Sequence, residues 1–196
     1  GQTISVETLA SGGTSGLSGS IEGTFIDSNP LYGVYPTESA VSSDRESMTV
    51  SVPATQTAEG DGYDAKAAVS VARTVSESLT FHAIGGGIKL NFQMSGVTKV
   101  ELESVDGYAL AGTAMIKWDE QGTPVVAETK NAASILVFNA ADDPGFTPGK
   151  DYYISTLPCD LYSGYRLSIY KDGMVAHYFG VHQTVEPVSY THLTLP

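Results

Sequence analysis

Apolar and polar residues alternate with a period of two along most of the chain, and helical periodicity hardly occurs. Met48–Val52, Ile88–Phe92 and Leu167–Tyr170 are examples of this alternation. Each run is short and is bounded by Gly, Pro, Asn, Asp or Ser, the residues that favour turns. One face of such a strand is buried while the other meets water, which is typical of antiparallel sheets. The pattern therefore predicts an all-β chain, a two-sheet antiparallel β-sandwich with almost no helix.

The apolar positions of one parity on these strands are the predicted core. They are Val50, Val52, Leu79, Phe81, Ile88, Leu90, Phe92, Val100, Leu102, Leu110, Ile116, Trp118, Ile135, Val137, Ile154, Leu167 and Ile169. Because side chains alternate between the two faces of a strand, a register slip of one residue would expose the whole set.

Several connections can be assigned from their turn residues. Asp172–Gly173 and Asp106–Gly107 each separate two alternating runs, and both predict hairpin turns because these residues tolerate a positive φ. Gly85–Gly87 predicts a bend or bulge in a strand, and not a phosphate-binding loop, because a strand rather than a helix follows it. Residues 10–20 are rich in Gly, Ser and Thr and are expected to form a flexible loop, while residues 53–66 form a second long connection.

Composition and charge narrow the class of protein. The 196 residues are 41% hydrophobic and 16% charged, which suits a single domain with its own core. The formal net charge of −12 disfavours nucleic acid and anionic membrane surfaces as partners. No run approaches the roughly 18 apolar residues of a membrane helix, and no signal peptide is recognisable. The chain does not begin with Met, which leaves room for a removed leader or upstream segment.

Candidate chemistry is sparse. His177 and His182 are five residues apart, which on a strand would place them on opposite faces and would not suit a metal. The lone Cys159 can form no disulfide within the chain, and we interpret it as a small packed or unpaired thiol. Asp142–Asp143 precedes Pro-Gly and is expected to form a solvated turn rather than a Ca²⁺ site. We therefore predict no catalytic, cofactor-binding or metal-binding residues, and no enzyme activity.

Aromatic residues crowd the C-terminal third of the chain. They are Tyr152, Tyr153, Tyr162, Tyr165, Tyr170, Tyr178 and Phe179. Alternate aromatics on strands usually fill a sandwich core, and Trp118 is expected to face inward with Ile116. The alternative is that some of these rings form a platform for sugars or for a partner protein.

Five segments in order carry a resemblance to a known family. They are Leu31–Pro36 (Leu-Tyr-Gly-Val-Tyr-Pro), Val52–Thr57 (Val-Pro-Ala-Thr-Gln-Thr), Phe81–Leu90, Gly107–Gly112 (Gly-Tyr-Ala-Leu-Ala-Gly) and Tyr152–Pro158. Together they resemble the fimbrillin family of exported lipoproteins and pilin subunits from gut-type and oral Gram-negative anaerobes. The resemblance runs from about residue 17 to residue 187.

The resemblance implies a transthyretin-like β-sandwich of about seven core strands plus extra hairpins. It corresponds to the N-terminal half of a larger, exported subunit that is lipidated on a Cys near its leader. In pilin members a surface protease removes the first strand, and the opened groove accepts a strand from the next subunit. Cys159 lies too deep in the chain to be the lipid anchor, so any anchor would depend on an absent N-terminal segment. We expect residues 1–187 to be one such domain, lacking its first strand and the domain that follows.

Residues 188–196 do not continue the domain pattern. They look like the translation of a sequencing adaptor at a contig edge, and such a segment is left out of fold reasoning. The alternative is a natural strand, because Tyr190–Leu195 roughly alternates. If the segment is artificial, we expect residues 190–196 to pack poorly against the domain.

Two function classes remain. The first is a structural or adhesive protein of the cell surface, outer membrane or fimbrium. It would be a fimbrillin-type pilus subunit or related lipoprotein that joins other pilus subunits or surface proteins by strand addition. The second is a glycan- or protein-binding sandwich module of a larger surface protein. A groove beside an absent strand would favour the first class, and an exposed planar row of aromatics would favour the second.

Overall fold

The computed structural model describes residues 30–75, 79–142 and 144–187, together with the backbone of residues 190–195. The predicted loop at residues 10–20 lies outside the described residues. The described chain is built from strands and contains a single 3-10 turn, Thr37–Ser39, and no α-helix. The prediction of an all-β fold is therefore confirmed. No helix in the described part of the chain has the length and apolar character needed to cross a membrane.

The strands are numbered here in chain order. They are β1 (Leu31–Tyr35), β2 (Ala40–Ser43), β3 (Ser47–Val52), β4 (Thr55–Ala58), β5 (Ser70–Thr74), β6 (His82–Ala83), β7 (Gly86–Phe92), β8 (Val97–Ser104), β9 (Ala111–Trp118), β10 (Pro124–Ala133), β11 (Ile135–Ala140), β12 (Asp151–Thr156), β13 (Cys159–Leu161), β14 (Tyr165–Lys171), β15 (Met174–Gly180), β16 (Gln183–Val185) and β17 (Tyr190–Leu195).

The strands form a β-sandwich from five hydrogen-bonded sheets. The two largest have the orders β15-β14-β8-β11-β4 and β10-β9-β3-β2, and the smaller ones are β1-β5-β6, β12-β7-β17 and β13-β16. Most ladders are antiparallel, as predicted, but β4 pairs with β11 in parallel and β17 pairs with β7 in parallel. The interpretation of residues 53–66 as a connection is therefore incomplete, because β4 lies within it.

One contiguous core fills the sandwich, and it contains most of the predicted positions. Val50, Val52, Ile88, Leu90, Phe92, Val100, Leu102, Leu110, Ile116, Ile154 and Leu167 are buried. Leu79, Phe81, Trp118 and Ile169 are half-buried. Trp118 packs its ring 5.2 Å from that of Tyr32 at the end of β9, with the Arg73 guanidinium 6.0 Å from the indole.

The prediction of which β11 side chains face the core is wrong. Ile135 is 43% exposed and Val137 is half-buried, whereas Leu136 and Phe138 are fully buried. The segment is apolar at four consecutive positions, so alternation cannot decide which face turns inward. The register with β8 decides it, because Leu136 lies opposite the buried Leu102.

The predicted turns differ in outcome. Asp172 and Gly173 both have positive φ, 51° and 74°, and they join β14 to β15 as a hairpin. Gly107 also has positive φ, 74°, but β8 and β9 are not hairpin partners, since they belong to different sheets. The chain around Asp106–Gly107 instead crosses from one sheet to the other, and the Leu110 N–H donates to the Ala133 carbonyl at 2.8 Å.

Gly85–Gly87 lies at the entry to β7, as expected for a strand bend. A Cβ at Gly85 would come 2.2 Å from the Thr156 carbonyl oxygen, and one at Gly86 would come 2.3 Å from the Glu186 carbonyl oxygen. These close backbone approaches require glycine at both positions.

Candidate strand-binding edge

β7 is the central strand of a small sheet and has a different neighbour on each side. On one side β7 pairs with β12, and Ile88 lies opposite Ile154. On the other side it pairs in parallel with β17, which places Gly87 opposite Tyr190 and Phe92 opposite Leu195. The expectation that residues 190–196 would pack poorly is therefore wrong for the backbone of 190–195, which completes a six-residue ladder.

The hydrogen bonds of β12 show which residues of β7 serve the β17 side. The Tyr153 N–H donates to the Gly62 carbonyl at 2.8 Å, away from β7. The Ser155 N–H also points away from β7, and it donates to the Gln56 Oε1 at 3.0 Å. Because backbone groups alternate in direction along an antiparallel ladder, Lys89 and Gly87, which lie opposite these two residues, direct their N–H and C=O groups toward β17.

The two faces of β7 have different surroundings. Ile88, Leu90 and Phe92 are buried in the core, and the Phe92 ring stacks at 4.9 Å on that of Phe146. A strand added beside β7 therefore has one set of alternate side chains next to the core. The other set lies beside Gly87, Lys89 and Asn91, on the opposite face.

Lys89 and Asn91 are held by the neighbouring strand. The Lys89 Nζ lies 2.7 Å from an Asp151 carboxylate oxygen, and the hydrogen bond to that carboxylate raises the pKa of Lys89. The Asn91 Nδ2 donates to the other Asp151 oxygen at 2.9 Å and to the Gly149 carbonyl at 3.1 Å. Both side chains are thus directed toward the start of β12.

A cavity of about 650 Å³ opens on this face of β7 and β12. Its apolar walls include Val69, Ala83 and Ile84, and its polar lining includes Ser155 and Lys89. The Gly85–Gly87 backbone forms another part of the wall and contributes no side chain. The volume falls within the roughly 300–1,000 Å³ of protein ligand sites.

Gln56 joins this region to the five-stranded sheet, a role that sequence reasoning missed. Its side chain is 1% exposed. Its Oε1 accepts a hydrogen bond from the Ser155 N–H at 3.0 Å, and its Nε2 donates to the Ser155 carbonyl at 2.7 Å. Gln56 and Ser155 belong to two of the segments that carry the family resemblance. Their presence in those segments is the sequence feature that could have indicated this role.

His177 and His182, which the sequence did not favour as metal ligands, each contact a different side chain. His177 lies on β15, and its Nδ1 is 3.0 Å from the Ser168 Oγ. His182 lies beyond the end of β15, with its Nε2 2.5 Å from an Asp160 carboxylate oxygen. Among the described residues, no three His, Cys, Asp or Glu side chains come together closely enough to hold a metal ion.

Cys159 begins β13 and is a free, half-buried thiol. Burial raises its pKa to about 11. Asp142 lies in an exposed turn, and the Gly145 N–H donates to its carbonyl at 2.9 Å. Asp143 lies outside the described residues.

The C-terminal aromatics divide between the core and the surface. Tyr152 and Tyr165 are buried. The interpretation as core residues is wrong for Tyr162, Tyr178 and Phe179, which are 71%, 44% and 67% exposed. Tyr178 and Phe179 are consecutive on β15 and therefore face opposite sides of the sheet, so they do not form one planar platform.

Comparison with known proteins gives evidence on the fold. No known family model matches the chain, and no curated protein sequence does. A crystal structure of a putative cell adhesion protein from Bacteroides ovatus ATCC 8483 is similar, with a TM-score of 0.54 and 14% sequence identity. The match covers 84% of this chain but only 62% of that protein. At this identity the similarity supports the β-sandwich fold alone.

Proposed function

We propose that this chain is a cell-surface adhesion-type protein, a fimbrillin-type subunit or a related surface lipoprotein, that binds an extended strand of another protein along β7. The role is structural rather than enzymatic, and the protein is exported. One observation carries the proposal, namely that Gly87 and Lys89 direct backbone hydrogen-bonding groups to a side of β7 where a separate segment, β17, can pair in register.

The physical basis is strand addition to a sheet edge. An incoming strand gains main-chain hydrogen bonds from β7, and its alternate side chains add to the core beside Ile88, Leu90 and Phe92. The similar fold of a Bacteroides protein named for cell adhesion supports a surface role, as does the order of the five fimbrillin-like segments. Other pilus subunits or surface proteins are the proposed partners.

The test uses a chain that ends at Pro187 and a labelled peptide of residues 188–196. Shortening the chain removes β17, so the peptide should bind saturably to the shortened chain and much more weakly to the full chain, whose edge is occupied. Fluorescence anisotropy measures both affinities. Equal binding to the two chains would place the peptide elsewhere and overturn the proposal.

A matched pair of variants tests the edge itself. Lys89→Pro removes the N–H that faces β17, whereas Lys89→Ala keeps it and removes only the side chain. We expect Lys89→Pro to weaken peptide binding by about tenfold or more, since one backbone hydrogen bond contributes about 1 kcal/mol and the ring also obstructs pairing. Lys89→Ala should bind within about threefold of the unmodified shortened chain. Circular dichroism measures whether both variants fold.

A further inference from the structure

We propose that the cavity beside Gly87 is a specificity pocket that takes one large apolar or aromatic side chain of the bound strand, from the residue opposite Gly87. This inference rests on the proposed function and names a feature of the partner: an extended segment with a bulky residue at this one position.

The register and the missing side chain of Gly87 lead to this assignment. Residues that lie opposite each other on neighbouring strands share a face, and the strands lie roughly 4.7–4.9 Å apart. The residue opposite Gly87, position 190 in the β17 register, therefore starts on the cavity face. Since Gly87 has no side chain, a long side chain from that residue can lean across β7 into the cavity.

The next positions on the same face have no such path. The residues opposite Lys89 and Asn91 meet side chains that are held toward Asp151 by contacts of 2.7 and 2.9 Å. Those positions suit small or polar residues. The positions of the strand opposite Ile88, Leu90 and Phe92 face the core, and they are a separate requirement of strand addition. The pocket thus selects the side chain at a single position of the partner strand.

The lining of the pocket fixes the chemistry of that residue. Val69, Ala83 and Ile84 offer an apolar wall, and Asp61 and Lys89 carry opposite charges beside it. Ser70 and Ser155 add hydroxyl groups that can meet a polar tip. An aromatic side chain buries a large apolar area and, in the case of Tyr or Trp, presents one polar group. A carboxylate in this setting would lose hydration without a dedicated partner, because Lys89 is already paired with Asp151.

A peptide series tests the pocket on the chain that ends at Pro187. In the peptide of residues 188–196, Tyr190→Phe should keep its affinity, while Tyr190→Ala and Tyr190→Asp should lose about tenfold or more, as expected for a buried aromatic contact. The matched control is His192→Ala, opposite Lys89, which should change affinity by less than about threefold. If Tyr190→Ala binds as well as the parent peptide, the pocket assignment is wrong.

A second experiment fills the cavity by substitutions in the shortened chain, and not in the peptide. The Ser155 side chain lies opposite Gly87 on the cavity face, whereas its contacts with Gln56 use only backbone atoms. Ser155→Phe should therefore remove the advantage of the Tyr190 peptide over the Ala peptide without weakening the Ala peptide. Ala83→Leu fills the same cavity and replaces Ser155→Phe if the latter does not fold.

The outcomes separate the two proposals. If no peptide binds the shortened chain, the strand-binding function fails and the pocket fails with it. If all peptides bind equally, and Ser155→Phe has no effect on their ranking, strand binding stands and the pocket alone is refuted.

Discussion

The Gln56 side chain pairs with the backbone of Ser155 as another strand would. Its amide accepts from the Ser155 N–H at 3.0 Å and donates to the Ser155 carbonyl at 2.7 Å, across 99 positions of sequence. The same Nε2 lies 3.3 Å from the Pro53 carbonyl. Through this one side chain, β4 of the five-stranded sheet continues to β12, the strand that pairs with β7. The candidate strand-binding edge is thereby linked to the centre of the sandwich.

Gln56→Ala should destabilise the fold strongly. The substitution leaves the Ser155 N–H and C=O without partners in a position where Gln56 itself is 1% exposed. Each unpaired buried group costs about 1–3 kcal/mol, so we expect a loss of about 2–4 kcal/mol in the free energy of unfolding. Urea denaturation measures this loss.

The exposed Gln121 provides the control for this substitution. Gln121→Ala should change the free energy of unfolding by less than about 0.5 kcal/mol, as surface substitutions usually do. An equally small change for Gln56→Ala would show that the amide is not needed to join the two sheets.

Much of the fold follows from local patterns. The β14–β15 hairpin forms where Asp172–Gly173 allows two successive positive φ angles, and that requirement is a property of the two residues themselves. Likewise, the alternation of Ile88, Leu90 and Phe92 predicts a strand with one buried face, and all three are buried.

Features that depend on distant pairing could not be predicted in this way. The apolar run Ile135–Phe138 fits either face, and its register with β8 selects one. β4 gains its partner β11 from a segment about 80 residues later, and a four-residue strand has too little pattern of its own to be assigned. The candidate site depends on the same kind of contact, because the cavity forms where Gly85–Gly87, β12 and the start of β5 come together.

The parity of β11 predicts a large contrast between two substitutions on one strand. Phe138→Ala should cost about 3–5 kcal/mol, because Phe138 is fully buried and stacks 5.4 Å from Phe146. Ile135→Thr should cost less than about 1 kcal/mol, because Ile135 is 43% exposed and Thr suits a strand. Thermal or urea unfolding of the two variants measures the contrast, and similar losses would mean that the parity is wrong.

Asp44 should stabilise the β2–β3 turn only in its ionised form. Its carboxylate accepts hydrogen bonds from the backbone N–H groups of Glu46 and Ser47, each at 2.8 Å, and from the Ser47 hydroxyl at 3.0 Å. The backbone bonds, that of Glu46 first, lower the pKa of Asp44. The stabilisation is therefore present above the ordinary Asp pKa of about 3.9 and disappears as the pH falls through the lowered folded-state value.

Comparison with Asp44→Asn tests this pH dependence. The variant should be less stable than the parent chain at pH 7, and the difference should shrink as the pH falls below about 3.9. A carboxyl carbon titration by NMR measures the pKa of Asp44 directly. A difference in stability that stays constant down to pH 2 would contradict the role of the charge.

Cys159 should react slowly while the chain is folded. Burial is the main cause that raises its pKa to about 11, so little thiolate is present at pH 8, and the thiolate is the reactive form. Relative to an unfolded thiol with a pKa of about 8.5, we expect alkylation by iodoacetamide to be slower by on the order of 100-fold. Because Cys159 is the only cysteine of the chain, the labelling rate followed by mass spectrometry belongs to this residue alone.

The same shift in the pKa of Cys159 implies that the folded state loses stability as the pH rises from about 8.5 toward 11, since the unfolded thiol ionises first. The urea-unfolded chain provides the reference rate, and Cys159→Ala should remove the thiol's share of the alkaline loss. Equal labelling rates for folded and unfolded protein at pH 8 would show that the thiol is not shielded by the start of β13.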